Sequence, residues 1–448
     1  MRNHASQDRM DILKGEAALT GKSHRPIRNH SAETAGWAVL IVVLFGGLMV
    51  SLRPRPEAPR DFFQDYASAR NLRSSRPVYT RIDQVIGEYT GGRGTSLLAY
   101  NAHPPTSVLL ALPFAGMAYV PAAVAWGLLS VALLAGSVAV FLSELRPDLS
   151  LSHLVLLSVV LGLWPPLWAH LLEGQLGVPI LFLLTLAWRA ARHGKDSLAG
   201  GLIGFAAAIK IFPAVLIAFF LVRGRFRLAV AATLSLVLVS AATLSITGPG
   251  AFRDYVMIVL PNLKHWSEYE GNVSLNGFFS RLLSPYPAGA ATWMAAILVA
   301  AVVWVRSTRA GFDESFALAI TGVLLTAPLT WPHSLVILLL PLAVYGGRLS
   351  RADSVSRWLA GAGWLLMAVP QGFFLTNPRA FIPVAAEYKR PSVVVSLTVL
   401  SLNFYGLVAF FFAQARLRRT RQFDGSEHRP APTGQHFAAV ERQAGVFS

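Results

Sequence analysis

The feature that most constrains this chain is a succession of apolar segments, many near the ~20 residues that cross a ~30 Å hydrocarbon core, joined by polar connections. Continuous apolar runs of that kind predict helices, because a helix satisfies its backbone donors and acceptors within its own segment. The expected fold is an all-α polytopic integral membrane protein with a large first external loop. Composition agrees: 54% of the 448 residues are hydrophobic and 14% charged, with mean hydropathy +0.50, which excludes a single water-soluble domain. Cysteine is absent, so disulfides, thiolate metal sites and a Cys nucleophile are excluded.

Lys and Arg number 39 against 23 Asp and Glu, for a net charge of +16. No basic stripe or nucleic-acid motif accompanies that excess, so no nucleic-acid partner is expected. Much of it lies between spans, as the positive-inside rule and contact with anionic membrane lipids produce. Residues 1–35 carry Arg2, Arg9, Lys14, Lys22, Arg25 and Arg28 before any apolar run. They read as a cytoplasmic tail rather than a signal peptide.

The first span covers Gly36 to Leu52, and Arg53 to Asn101 follows as a long polar loop containing Pro54, Pro56 and Pro59. A connection of that length points to function. Three short basic connections, Arg189-Arg192-Lys195, Arg223-Arg225-Arg227 and Arg348-Arg351-Arg357, are expected in the cytoplasm. Ser197 to Val222 then goes out and returns, with Lys210 at the outer turn. Its arms of about a dozen residues are short for full spans, so a partly re-entrant pair is expected.

The same parity puts Glu173-Gly174-Gln175, the Gly248 to Pro287 loop and Trp331-Pro332-His333 outside. Arg306, Arg309, Arg416, Arg418, Arg419 and Arg421 fall inside. Between Pro104 and Leu172, three apolar stretches must supply an even number of crossings. Either Trp164-Pro165-Pro166 breaks the third into a re-entrant segment or the first lies along the interface. The total is about twelve spans. The membrane domain is expected over 36–415, with external loop 53–104, and 416–448 as a basic, disordered cytoplasmic tail containing Pro430 and Pro432.

Asp61 and Asp65 share one face if the segment after Pro59 is helical. A carboxylate there suits a general base for an acceptor hydroxyl. It equally suits a helix cap at Asp61 and an ion pair between Asp65 and Arg60 or Arg70. In Asn101-Ala102-His103-Pro104-Pro105 the prolines fix an extended approach to the membrane, and His103 is either an interfacial residue or at the mouth of a site. Lys210, in an apolar run before Pro213, needs a partner, a snorkelling route or an anionic ligand such as phosphate. Trp331 and His333 fit an interfacial anchor or a phosphate contact. The stretch from His265 to Asn276, with Trp266, Glu268, Glu270, Asn272 and Ser274, suits a sugar. No His or carboxylate cluster has metal-ligand spacing, and no cofactor is indicated.

Together, Asp61-Phe62-x-x-x-Tyr66-Ala67-Ser68-Ala69, Pro77-Val78-Tyr79, Asn101-x-His103-Pro104-Pro105, Gly174-Gln175, Lys210-x-x-Pro213, Asn272-x-Ser274 and Trp331-x-His333 resemble glycosyltransferase family 87. This is a branch of the GT-C superfamily of polytopic transferases. The resemblance spans roughly Trp37 to Gln414. It implies an inverting hexosyltransferase, typically a mannosyltransferase, that moves a sugar from a polyprenyl-phosphate carrier to a lipid or glycan hydroxyl. The reaction would take place at the outer face of the plasma (inner) membrane. It assigns the base to Asp61, a supporting role to His333 and the phosphate contact to Lys210. Asp65, Tyr66, Asn101, His103, Glu173, Gln175, Asn272, Ser274, Asn276 and Trp331 are candidate substrate contacts. Asp65 stands where relatives often have an aromatic residue, which leaves the choice of carboxylate open. The alternative class is a carrier or flippase for polyprenyl-linked sugars, which would place ionisable groups at mid-depth on broken helices. A non-catalytic scaffold is a further alternative.

Overall fold

The computed structural model describes residues 45–47, 49, 59–92, 99–145, 161–370 and 393–417. The expected first span, Gly36 to Leu52, and both tails lie almost wholly outside these residues. Every regular element among the described residues is helical.

Two short helices, α1 (Phe62–Arg73) and α2 (Ile82–Thr90), form the regular structure of the described part of the first loop. Next come α3 (Pro105–Ala111) and the long α4 (Tyr119–Leu145). Helices α5 (Pro165–Glu173) and α6 (Gly177–Arg192) are bent by 114° at their junction. Pro165 opens α5 at a position whose N–H has no helical partner anyway, so the Trp164-Pro165-Pro166 break starts a helix and the bend falls later, at Gly174. The first apolar stretch forms only α3 and a 3₁₀ turn, Leu112–Phe114.

Helix α7 (Asp196–Ile209) rises beside α9 (Phe226–Asp254), and α8 (Val215–Val222) returns. Arg225 reaches back to Asp196 and, at 2.9 Å, to the Ala191 carbonyl, so the two feet of the pair stand together. With 14 residues, α7 is ~21 Å long, shorter than a ~30 Å hydrocarbon core. Ser197 to Val222 forms two short arms with Lys210 at their turn. Gly200 and Gly204 lie against the Leu228 and Ala232 carbonyls, where a Cβ would overlap the backbone. That glycine spacing lets α7 and α9 approach closely.

Helix α10 (Leu275–Leu282) precedes α11 (Pro285–Ser307), and α12 (Phe312–Thr326) rises to a second break. There a 3₁₀ segment, Pro332–Leu338, and α13 (Leu339–Gly346) lead back. Helices α14 (Ser354–Met367) and α15 (Leu402–Ala415) pack together and complete the bundle.

The three basic connections converge on one end of the bundle. Arg192 and Arg348 both pair with Asp313, at 2.7 and 3.1 Å, and Arg348 also meets Glu314 at 2.9 Å. Arg223 donates to the Ser307 carbonyl at 2.6 Å, and Arg306 donates to the Leu417 carbonyl. The elements predicted to share a side therefore do so. On the bundle surface, Trp293, Met294 and Ile297 of α11 are 73%, 72% and 66% exposed, as a lipid-facing helix requires.

Two expectations change. Residues 248–287 are not one loop: Gly248 turns to φ 78°, Pro249 opens a new helical segment, and helix continues to Trp266 through a π-helical turn at Tyr255–Val259. Proline at a helix start forfeits no bond, so the Gly-Pro pair kinks the helix instead of ending it. Against about twelve spans expected from apolar length, four helices among the described residues are long and apolar enough to cross, or five with the bent pair. Several apolar runs are instead arms of 10–17 residues, including Asp196–Ile209 and Pro332–Gly346.

Candidate active site

At the end of the bundle opposite the basic connections, the first loop, the tip of the α7–α8 pair and the tip after α12 enclose a cavity of ≈ 480 Å³. Asp61, His103, Gln175, Lys210 and Trp331 line it. These residues are widely separated in sequence, and only the fold brings them together.

Asp61 immediately precedes α1 and makes no side-chain cap. Its Oδ2 instead accepts a hydrogen bond from Gln175 Nε2 at 2.6 Å. The approach is set by Gly174, whose φ of 65° ends α5 and whose carbonyl accepts from Trp126 Nε1 at 2.6 Å. Trp126 stacks on Phe62 at 4.9 Å and 14°, and a Cβ at 174 would lie 3.0 Å from Phe62 Cβ. Glycine is thus required by both the backbone angle and the space. Burial holds the Asp61 carboxyl above the usual carboxylate range, even though Gln175, His103 and Lys210 favour its charged form.

Asp65 is 4% exposed and does not line the cavity. Its Oδ1 accepts from Ser107 Oγ at 2.7 Å and Asn101 Nδ2 at 3.1 Å, and its Oδ2 lies 2.9 Å from His103 Nδ1. Burial alone would raise its carboxyl, but His103, Ser107 and Asn101 more than offset it and hold it below the usual range. The two carboxylates therefore divide: one opens on the cavity, the other has both oxygens engaged by the polypeptide. The expected pairing of Asp65 with Arg60 or Arg70 is replaced by this network.

Lys210 follows α7 in extended backbone (φ −150°, ψ 129°). It makes no salt bridge with any described residue; Asp65 and Asp61 are the opposite charges it feels. Beside it the wall is apolar, with Ile211, Phe212, Val215, Leu260, Leu263 and Leu329. Across the cavity Trp331 packs edge-on against Trp266 at 5.9 Å and Tyr269 at 5.4 Å, forming an aromatic rim.

The remaining expected site residues lie behind the wall. Tyr66 is fully buried, donating to the Met117 carbonyl at 2.8 Å and accepting from Arg70 at 2.9 Å. Asn101 supports Asp65 and accepts from the His103 N–H at 3.0 Å. Glu173 ends α5 within electrostatic reach of Asp61 but off the cavity. Asn272 spends its amide on the Pro328 carbonyl (3.0 Å) and the Thr330 N–H (3.2 Å), Ser274 caps α10, and Asn276 donates to the Pro328 carbonyl at 3.0 Å. These three brace the Pro328–Trp331 wall. His333 lies beside Trp331, their ring centroids 6.4 Å apart, with a buried Nε2 that no described residue bonds.

Gln64, Tyr255 and Lys264 also line the cavity and were not singled out by the sequence. Lys264 offered a signal of the same kind as Lys210: a cation soon after the apolar run Val256 to Pro261. Among the described residues no cluster could hold a metal ion.

No curated protein matches the chain. Among solved structures, ArnT from Cupriavidus metallidurans in the apo state is similar at 16% identity and a TM-score of 0.37, over 86% of this chain and 78% of that one. The same protein bound to undecaprenyl phosphate is similar at 16% identity and a TM-score of 0.38, over 85% and 76%. The sequence profile of glycosyltransferase family 87 matches residues 101–332, over half of the chain. This stretch supplies the His103, Gln175, Lys210 and Trp331 walls of the cavity. The chain is a membrane glycosyltransferase and belongs to glycosyltransferase family 87.

Proposed function

We propose that the protein transfers a hexose, typically mannose, from a polyprenyl-phosphate carrier to a lipid or glycan hydroxyl at the outer face of the membrane. The observation that carries this reading is one cavity lined by both a carboxylate, Asp61, and a cation, Lys210, together with an apolar surface. Asp61 removes the acceptor proton as the hydroxyl attacks the anomeric carbon. The bond from that carbon to the phosphate oxygen breaks, and the polyprenyl phosphate leaves. Lys210 neutralises the phosphate, since a charge-assisted contact gains strength in a poorly solvated site. Single displacement inverts the anomeric centre. The wall from Ile211 to Val215, with Leu260 and Leu263, suits an isoprenoid chain.

The family resemblance gives His333 a supporting role, which it plays from behind the cavity wall, where its ring lies beside Trp331. The basic end of the bundle faces the cytoplasm, as the positive-inside rule requires. Purified protein incubated with a panel of polyprenyl-phosphate sugars and membrane lipid extract tests the reading. Formation of a new glycosylated product, read by mass, is expected. Transfer of labelled donor between leaflets of a vesicle with no product formed would favour the carrier instead.

A further inference from the structure

The transfer reading leaves unused an imidazole on the same wall as Asp61. His103 lines the cavity and is 5% exposed, and three bonds fix it. Its N–H donates to Asn101 Oδ1 at 3.0 Å, its carbonyl accepts from Tyr79 Oη at 2.7 Å, and its Nδ1 lies 2.9 Å from Asp65 Oδ2. Asp65 is itself held by Ser107 and Asn101. A carboxylate on one ring nitrogen fixes the orientation of the ring. With Nδ1 engaged by Asp65, Nε2 is the ring nitrogen that no described residue bonds.

A sugar hydroxyl both donates and accepts a hydrogen bond, so it can satisfy this nitrogen. We propose that His103 Nε2 hydrogen-bonds a sugar hydroxyl of the bound substrate, and that Asp65 is the positioning residue that aims it. The inference rests on the transfer reading and adds a second substrate contact beside the base. It also gives Asp65 a role distinct from that of Asp61. The sugar hydroxyl belongs either to the transferred hexose or to the acceptor, and the two sources are separable by kinetics.

The test uses the full-length protein in detergent or vesicles, with a polyprenyl-phosphate sugar and the acceptor found by product mass. His103→Asn keeps a donor for Asp65 and deletes Nε2, whereas His103→Gln restores a polar atom near Nε2. Asp65→Asn and the Asp65→Asn, His103→Asn double variant complete the set. His103→Asn is expected to raise one KM about tenfold with a smaller change in kcat, and His103→Gln to recover part of the loss. A raised donor KM places the hydroxyl on the hexose; a raised acceptor KM places it on the acceptor. The double variant is expected to be no worse than His103→Asn alone, since Asp65 acts through the ring.

Unchanged KM values in His103→Asn would overturn the proposal, as would losses that multiply in the double variant. If Asp65→Asn does not fold, the His103 variants decide alone. Full transfer by Asp61→Asn would instead overturn the base assignment and leave these KM comparisons readable.

Discussion

Asp61 and Gln175 are 114 residues apart in sequence and meet at 2.6 Å. That bond joins the first loop to the sharp bend between α5 and α6, and Gly174 makes the bend possible. Gly174→Ala adds a left-handed backbone cost of about 1–2 kcal/mol and pushes a methyl toward Phe62 and Trp126. A lowered thermal midpoint is expected together with a loss of transfer. Wild-type activity in this variant would show that the bend does not position the site.

Lys210→Met keeps much of the apolar stem and removes the charge. Hydrogen bonds to charged groups are worth about 1.5–3 kcal/mol, so donor affinity is expected to fall about tenfold or more. The thermal midpoint should change little, because the ammonium makes no salt bridge with a described residue and only a distant approach, 6.0 Å, to the Phe212 ring. Donor binding as tight as wild type would move the phosphate contact elsewhere, with Lys264 the next candidate.

The rate should depend on pH through Asp61. A base works only when deprotonated, and burial holds this carboxyl above the usual carboxylate range. Activity is therefore expected to be lost on acidification, with its midpoint above the ordinary value of about 3.9. Gln175→Ala deletes the bond that favours the charged form, so the midpoint should move to higher pH. A kcat/KM profile whose acid limb moved the other way in Gln175→Ala would contradict this.

Sidedness can be read in this cysteine-free chain from single introduced thiols. Ser75→Cys lies on an exposed stretch of the first loop and Lys195→Cys at the basic end. An impermeant reagent added outside intact cells is expected to label the first and spare the second. Labelling at 195 but not at 75 would invert the orientation.

Much of this site was legible because polar residues inside apolar runs are costly and therefore conspicuous. Lys210 before Pro213, Gln175 after Gly174 and His103 before a proline pair all reach the cavity. Asn272 and Asn276 were equally conspicuous, but their partners are the Pro328 carbonyl and the Thr330 N–H, and local spacing does not encode so distant a contact. Helical spacing put Asp61 and Asp65 on one face, yet their environments diverge because Ser107 and Asn101 reach only one of them. The short arms on either side of Lys210 could be read from their length. The continuation past Gly248 could not, since a Gly-Pro pair serves equally to end a helix or to kink one.

The most direct test of the account compares Asp61→Asn with wild type for donor binding and product formation in the same preparation. The amide keeps the side chain's shape but cannot take the acceptor proton. Transfer is expected to fall about 10²–10⁴-fold, with donor affinity and thermal midpoint nearly unchanged and a smaller loss in Asp65→Asn. Near-wild-type product formation by Asp61→Asn, with Asp65→Asn inactive though folded, would contradict the assignment of the base.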